Sequence, residues 1–341
     1  MCPRFSVRIA GQAGAFVYAP PGGGTIHIAN SSIVENFMTY AVVYVRDHSS
    51  LTLLGTTFAR QDGYLVLFAY GHGIKLAAED VVIADHTSGS VAQTIYADST
   101  WTRCTFLRNQ GDDRHSGGGG LTFWDGVHTV EDSVFEENTK DGDEGGAMLI
   151  KGGASVTVER TIFHANTVLG GKSGGGVCVR EASTVRFDYS TFSANVCVDQ
   201  GSAAAVKSGS SVTFDGCEFN SNYVHAAHGS LNIDEASEVV VRNTKFSDNG
   251  ALAAAPALGV HGASTLTIED SLFVDNHAGT DSGVGQVTSA STLTCTRVVM
   301  KHNTAETAFS GALWIAGAST LNLIDSWCVV PDFIYFISIP G

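Results

Sequence analysis

The sequence predicts an all-β protein, a single-stranded right-handed parallel β-helix (solenoid) of about twelve turns of roughly 27 residues, and three observations carry that reading. A Phe-x-x-Asn step returns as Phe106/Asn109, Phe135/Asn138, Phe163/Asn166, Phe192/Asn195, Phe219/Asn222, Phe246/Asn249 and Phe273/Asn276, with Met300/Asn303 as a close variant. The intervals between successive anchors are 29, 28, 29, 27, 27, 27 and 27 residues. Spacing inside the unit is also kept: six residues separate Ile150 from Val156, Val179 from Val185 and Val206 from Val212, and five separate Val158, Phe187 and Phe214 from the next Phe. Around each anchor apolar and polar residues alternate, as in Thr265-Leu266-Thr267-Ile268-Glu269, the period of a strand with one buried face. Such a unit cannot bury its apolar face alone, so the copies must stack.

In chain order, Met1 to Gly14 carries Arg4 and Arg8 without an apolar core of signal-peptide length, and residues 1–15 read as an N-terminal segment or cap. The coil is expected over 16–326. Its first turns are degenerate: Ile26/Ile28, Ile33 and Asn36 form one copy, Val43/Val45, Leu51/Leu53 and Phe58 the next, and Phe68/Tyr70, Leu76/Ala78 and Ile83 a third, with these apolar residues in the inward slots. Gln61 and His86 stand where Asn stands later, so those corners are expected to be less regular. Each turn reads as three short strands joined by corners rich in Gly, Ala-Ser and Asn. The Asn set Asn109, Asn138, Asn166, Asn195, Asn222, Asn249, Asn276 and Asn303 is expected to form an internal ladder, each Asn taking the left-handed corner conformation and bonding the Asn of the next turn. Asn232 falls on the outward side of a first strand, where solvent exposure is expected. The apolar stretch 327–341 reads as a tail or end cap, too short to cross a membrane.

Composition narrows the function classes. A chain of 341 residues would ordinarily suggest two domains, but an unbroken repeat argues for one elongated body. The net charge of −15, with 19 Lys and Arg against 34 Asp and Glu, excludes a phosphate-binding surface and therefore a nucleic-acid partner. No stretch reaches the roughly 18 apolar residues of a membrane-spanning helix. Seven cysteines do not form a disulfide framework: Cys295 takes an inward apolar slot, and Cys104 and Cys217 share a slot but lie too many turns apart to bond.

The Phe-x-x-Asn steps, followed by Gly145-Gly146-Ala147-Met148, Gly174-Gly175-Gly176-Val177 and Ser310-Gly311-Ala312-Leu313, resemble the repeats of the polymorphic outer-membrane proteins. More broadly the chain is similar to the pectate-lyase-like right-handed β-helix class. What this resemblance implies is an adhesin-like passenger, extracellular or displayed at a cell surface, that binds glycan or a surface protein.

Loops between each Asn and the following strand vary in length and are the expected working surface. Two neighbouring loops carry charge, Asp112, Asp113, Arg114 and His115 in one and Lys140, Asp141, Asp143 and Glu144 in the other. Stacked, the five carboxylates Asp112, Asp113, Asp141, Asp143 and Glu144 could hold a hard cation such as Ca²⁺ through oxygen ligands. With Arg114 or Lys140 as the base, that resembles the equipment of a polysaccharide lyase, and a cation-dependent polysaccharide lyase or glycoside hydrolase is the alternative to a non-catalytic binding protein. Acidic loops are more often solvated faces. Gly71-His72-Gly73 looks like part of a polygalacturonase signature, but the only Asp-Asp, Asp112-Asp113, follows it instead of preceding it, and His72 reads better as a corner residue. Outward Ser155/Thr157, Ser211/Thr213, Thr265/Thr267 and Thr292/Thr294 resemble the threonine face of β-helical ice-binding proteins, yet Arg186, Glu238 and Val240 interrupt it, and threonine is a good exposed strand former. The sequence therefore favours a non-catalytic binding rod.

Overall fold

The computed structural model describes residues 5–7, 17–87, 89–112, 117–142, 144–170, 173–226, 228–307, 312–330 and 333–335. The chain winds as a right-handed parallel β-helix. A first sheet stacks twelve strands from Val17–Ala19 to Leu313–Ile315, and a second stacks twelve from Thr25–Ala29 to Thr320–Ile324. The third has fourteen strands, from Phe5–Val7 to Phe333–Tyr335. Twelve stacked strands give eleven turn-to-turn steps, in line with the period in the sequence. Pairing is parallel and in register, as where Ser155–Glu159 pairs residue for residue with Thr184–Asp188. At the far end Trp327–Val330 pairs in parallel with Val299–Lys301, and Phe333–Tyr335 turns back antiparallel against it.

Alternation fixes which side chains enter the coil. In Ser155–Glu159 the residues Val156 and Val158 are buried while Ser155 and Thr157 are exposed, and the same pattern recurs in the other copies. The Phe anchors stack as a column through the core, with ring centroids 4.5 Å apart for Phe106–Phe135 and 4.8 Å for Phe163–Phe192. Parallel in-register stacking places identical side chains at sheet spacing, so one good aromatic choice is repeated down the rod.

Asn residues form the expected ladder. Asn222 Nδ2 donates to Asn249 Oδ1 at 3.0 Å and to the Phe192 carbonyl at 2.9 Å, while Asn222 Oδ1 accepts from Asn195 Nδ2 and from the Asn195 amide, both at 3.0 Å. The left-handed residue is not the Asn, however, but the one before it: Glu137, Ala165, Ala194, Ser221 and Asp248 have φ of 54, 53, 53, 54 and 57°. That division of labour follows from the amide's task. An Asn whose amide joins two turns must keep its own backbone in the ladder, so its neighbour makes the bend. Gln61 does the same work as Asn, donating to the Ile33 and Ala59 carbonyls at 2.7 and 2.8 Å, and Arg60 and Asp85 bend as their counterparts do. The backbone bend at these early corners is therefore kept without an Asn.

Three further differences from the sequence reading bear on function. A fourth, two-residue strand follows each Asn from Gln110–Gly111 to Thr304–Ala305, making an eight-stranded ribbon beside the variable loops. A second hydroxyl ladder runs through the corner between the second and third sheets, where the Cys104, Thr161 and Cys217 amides donate to Ser133, Ser190 and Thr244 hydroxyls. Most consequential is register. Val43 and Val45 pair with Leu67 and Ala69, not with Phe68 and Tyr70. Corner 71–74 is one residue longer than corner 47–49 before it, with Gly71 and Gly73 at φ of 125 and 69°, and a one-residue slip reverses the face of every side chain. Phe68 and Tyr70 thus point outward.

Candidate functional site

That slip builds an aromatic surface on the outer face of the first sheet. Tyr18, Tyr44 and Phe68 share one outward column, with centroids 5.4 and 5.2 Å apart. Tyr40 stacks on Tyr64 at 5.8 Å and meets Tyr44 edge-on at 5.1 Å. Tyr70, Tyr96 and Trp124 continue the run along the edge of the sheet, at 6.3 and 6.5 Å. Tyr18, Tyr40, Tyr64 and Tyr70 are 49, 36, 36 and 38 % exposed. Since many ring faces are turned on one another, the strip presents ring edges and phenolic hydroxyls to solvent. Burial, then the neighbouring Tyr40, pushes the Tyr44 hydroxyl up to about 12, and burial raises Tyr64 as well, so both remain hydrogen-bond donors at neutral pH.

Cations border this strip. Arg46 lies over the Tyr70 ring at 5.9 Å, and Lys151 lies over Trp124 at 4.2 Å. One and two turns further on, Arg180 and Lys207 close on Glu144, Arg180 Nη1 at 3.3 Å from Oε2 and Lys207 Nζ on Oε1. Glu144 is 3 % exposed and lies beside the buried Cys178. Burial works against the Lys207 charge, but the Cys178 sulfur and the Glu144 carboxylate outweigh it, and its pKa lies above that of an ordinary lysine. A lysine held that way is a poor general base.

Of the charged loop residues singled out in the sequence, Asp113, Arg114, His115 and Asp143 lie outside the described residues. Asp112 is half-buried, Asp141 is exposed, and Glu144 is drawn inward to the two cations just described. Lys140 is fully buried, its ammonium donating to the Asp112 carbonyl. Among the described residues no three His, Cys, Asp or Glu side chains converge as a metal site. His72 stacks on Tyr96 at 5.1 Å and so belongs to the aromatic surface. On the second sheet Thr157, Arg186, Thr213, Val240 and Thr267 do form one outward column, interrupted as the sequence indicates. All six described cysteines are free, five of them buried. Among the described residues no helix is long and apolar enough to cross a membrane.

Residues 146–327 match the family described as a right handed beta helix region, more than half of the 341-residue chain. The chain belongs to the right-handed β-helix family. No curated protein matches it significantly. Among solved structures it is similar to the alginate lyase AlyF-OU02 in complex with G6, at 8 % identity over 79 % of this chain and 81 % of that one, with a TM-score of 0.20. A likeness that slight carries no argument about what this β-helix does.

Proposed function

We propose that this β-helix is a non-catalytic, adhesin-like binding protein, secreted or displayed at a cell surface, that holds a glycan along the outer face of its first sheet. The observation that carries the reading is the exposed aromatic strip of Tyr18, Tyr40, Tyr64 and Tyr70 on a rigid parallel scaffold. Contiguous exposed apolar surface of this kind ordinarily marks an interaction site. Its chemistry suits sugar. The exposed tyrosines offer apolar ring edges for C–H contact and hydroxyls for hydrogen bonding, and the Tyr18–Tyr44–Phe68 column sets turn-to-turn steps of 5.4 and 5.2 Å, about the length of one pyranose unit. A protein partner would be expected to seek deeper pockets for its anchors. The likeness of the repeats to polymorphic outer-membrane proteins supports the same reading.

Against a lyase or hydrolase stands the state of the nearest cations. Arg180 and Lys207 are both paired with buried Glu144, and Lys207 keeps its proton. The decisive experiment is affinity electrophoresis through gels containing neutral or uronate polysaccharides, with and without Ca²⁺. Retention is expected, and the Tyr40→Ala/Tyr64→Ala double variant should weaken it by about tenfold or more while remaining folded. Release of unsaturated uronate, detected by its ultraviolet absorbance, would replace the binding reading with an enzyme.

A further inference from the structure

Farther along the same face, beyond the cations, His228, Asn232 and His261 close around Gly259. His228 Nδ1 is 2.7 Å from His261 Nε2, and His261 Nδ1 is 2.7 Å from Thr288 Oγ1. Asn232, expected from its outward slot to meet solvent, is instead 1 % exposed. Its Nδ2 donates to Gln200 Oε1 at 3.1 Å, which fixes the amide, and its Oδ1 has no hydrogen-bond partner. Gly259 occupies the column that holds Ala205, Asn232, Gln286 and Trp314 in other turns. A Cβ there would lie 2.8 Å from Asn232 Oδ1 and 2.9 Å from His261 Nε2, so the glycine leaves a space that both atoms face.

The backbone of His228 is the second, independent sign. Three residues before the first-sheet strand, earlier turns place Gly145, Gly174 and Gly201 at φ of 75, 77 and 64°. His228 fills that slot at φ 81°, beyond the 46 to 61° of every other described non-glycine residue with positive φ. A hydrogen bond between two histidines would satisfy the rings, but it would leave Asn232 Oδ1 buried and unpaired, and it gives no reason for an imidazole where glycine is easier.

We propose that His228 Nδ1, His261 Nε2 and Asn232 Oδ1 form a binding site for a divalent transition metal of the Zn²⁺ class, its fourth position open to water or a ligand atom. Neutral imidazole nitrogens favour such ions over Ca²⁺, and the Thr288 hydroxyl orients the His261 ring from behind. Tetrahedral coordination at about 2.0–2.1 Å needs the two ring nitrogens about 3.3 Å apart, so a small parting of the rings admits the ion. Because His261 belongs to the turn after that of His228 and Asn232, the metal also ties two turns together.

Equilibrium dialysis of the whole chain against ZnCl₂, and visible absorption with CoCl₂, test the site. Expected are one ion per chain, the intense visible bands of tetrahedral Co²⁺, and a higher thermal midpoint with Zn²⁺. His228→Gly restores the residue of the three preceding turns, so it should fold with an unchanged or raised metal-free midpoint and bind about tenfold or more weakly. Asn232→Leu should weaken uptake as well. Wild-type protein that gives no tetrahedral Co²⁺ spectrum would overturn the proposal. So would a His228→Gly variant that keeps it undiminished.

Discussion

The turns from Phe106 to Asn303 and the turns before them share a backbone path but order their aromatic residues on opposite sides of it. In the later turns the phenylalanine rings point inward, as in Phe192, Phe219 and Phe246, and each corner is locked by an Asn. In the earlier turns the largest run of rings is outside, and the core beneath it is made of Val43, Val45, Leu67 and Ala69. An inward aromatic must fit the same cavity in every turn, and that keeps the later sequence strictly periodic. An outward aromatic has no such constraint, so its slots drift from turn to turn. The regular half of the rod is where stability is concentrated, and the irregular half is where the surface departs from what the scaffold requires.

The largest test of that contrast removes one rung of the ladder. Asn222→Leu takes from the Phe192 carbonyl, the Asn195 backbone amide and Asn195 Nδ2 the partner each has in Asn222, while Asn249 Oδ1 keeps only the backbone amide of residue 222. At about 1–3 kcal/mol for each unmet group, partly relieved by relaxation, the loss should be about 3–5 kcal/mol in denaturant unfolding. A midpoint close to that of the wild type would mean that the amides are replaceable by water and that the later turns are held by the Phe column alone.

A second test lies at the junction between the two regions. In the second sheet, Ser99 and His128 occupy the inward column that Val156 and the following valines occupy later. His128 Nδ1 is 2.8 Å from the Ser99 hydroxyl and Nε2 is 2.7 Å from the Asp125 carbonyl, and the ring stacks on Phe123 at 4.1 Å. Burial lowers its pKa from 6.5 to about 4. The unfolded chain therefore takes up this proton first as the pH falls. Stability from the neutral ring is complete above pH 6.5 and is lost as the pH drops from there through 4, by about 3 kcal/mol in all. Unfolding of wild type and His128→Val compared between pH 7 and 4 isolates this share, since carboxylates titrate alike in both. A difference that stays constant with pH would show that the ring accepts its proton without leaving the core.

How much of this could be read in advance follows from the same contrast. The coil, its inward slots and its Asn ladder were legible because each rests on a residue that recurs at one place in every turn. The bend before each Asn was not, since that slot accepts Glu, Ala, Ser, Asp, Arg and His alike, and only the backbone distinguishes it. Placing Phe68 and Tyr70 inward followed from assuming a constant corner length, and one extra residue in the corner 71–74 was enough to hide the aromatic strip. Of the loop charges, Lys140 and Glu144 could not be told from surface residues by type. Their burial depends on the chain folded over them from neighbouring turns. His228 and His261 are 33 residues apart, off the period, so no comparison of equivalent slots would pair them.

The smallest expected effect probes the bend itself and sets the two regions against each other most finely. In the later turns Ala165 and Ala194 hold φ of 53° with nothing but a methyl group to offer. Among the earlier ones the same slot carries Arg60, which pairs across turns with Glu35 at 3.1 Å, and the first of the later turns still carries Arg108, paired with Asp85 at 2.8 Å. Replacing Ala165 with glycine relieves about 1–2 kcal/mol of left-handed strain and gives back about 0.5–1 in chain entropy, for a net gain of about 0.5–1 kcal/mol. Arg60→Gly gains the same relief but gives up an exposed ion pair of about 0–1 kcal/mol, so its net change should lie near zero. Thermal midpoints of the two variants at low and high salt separate the contributions: salt should raise the relative stability of Arg60→Gly and leave Ala165→Gly unmoved. A destabilised Ala165→Gly would show that the bend is held by packing of the methyl group, not tolerated in spite of it.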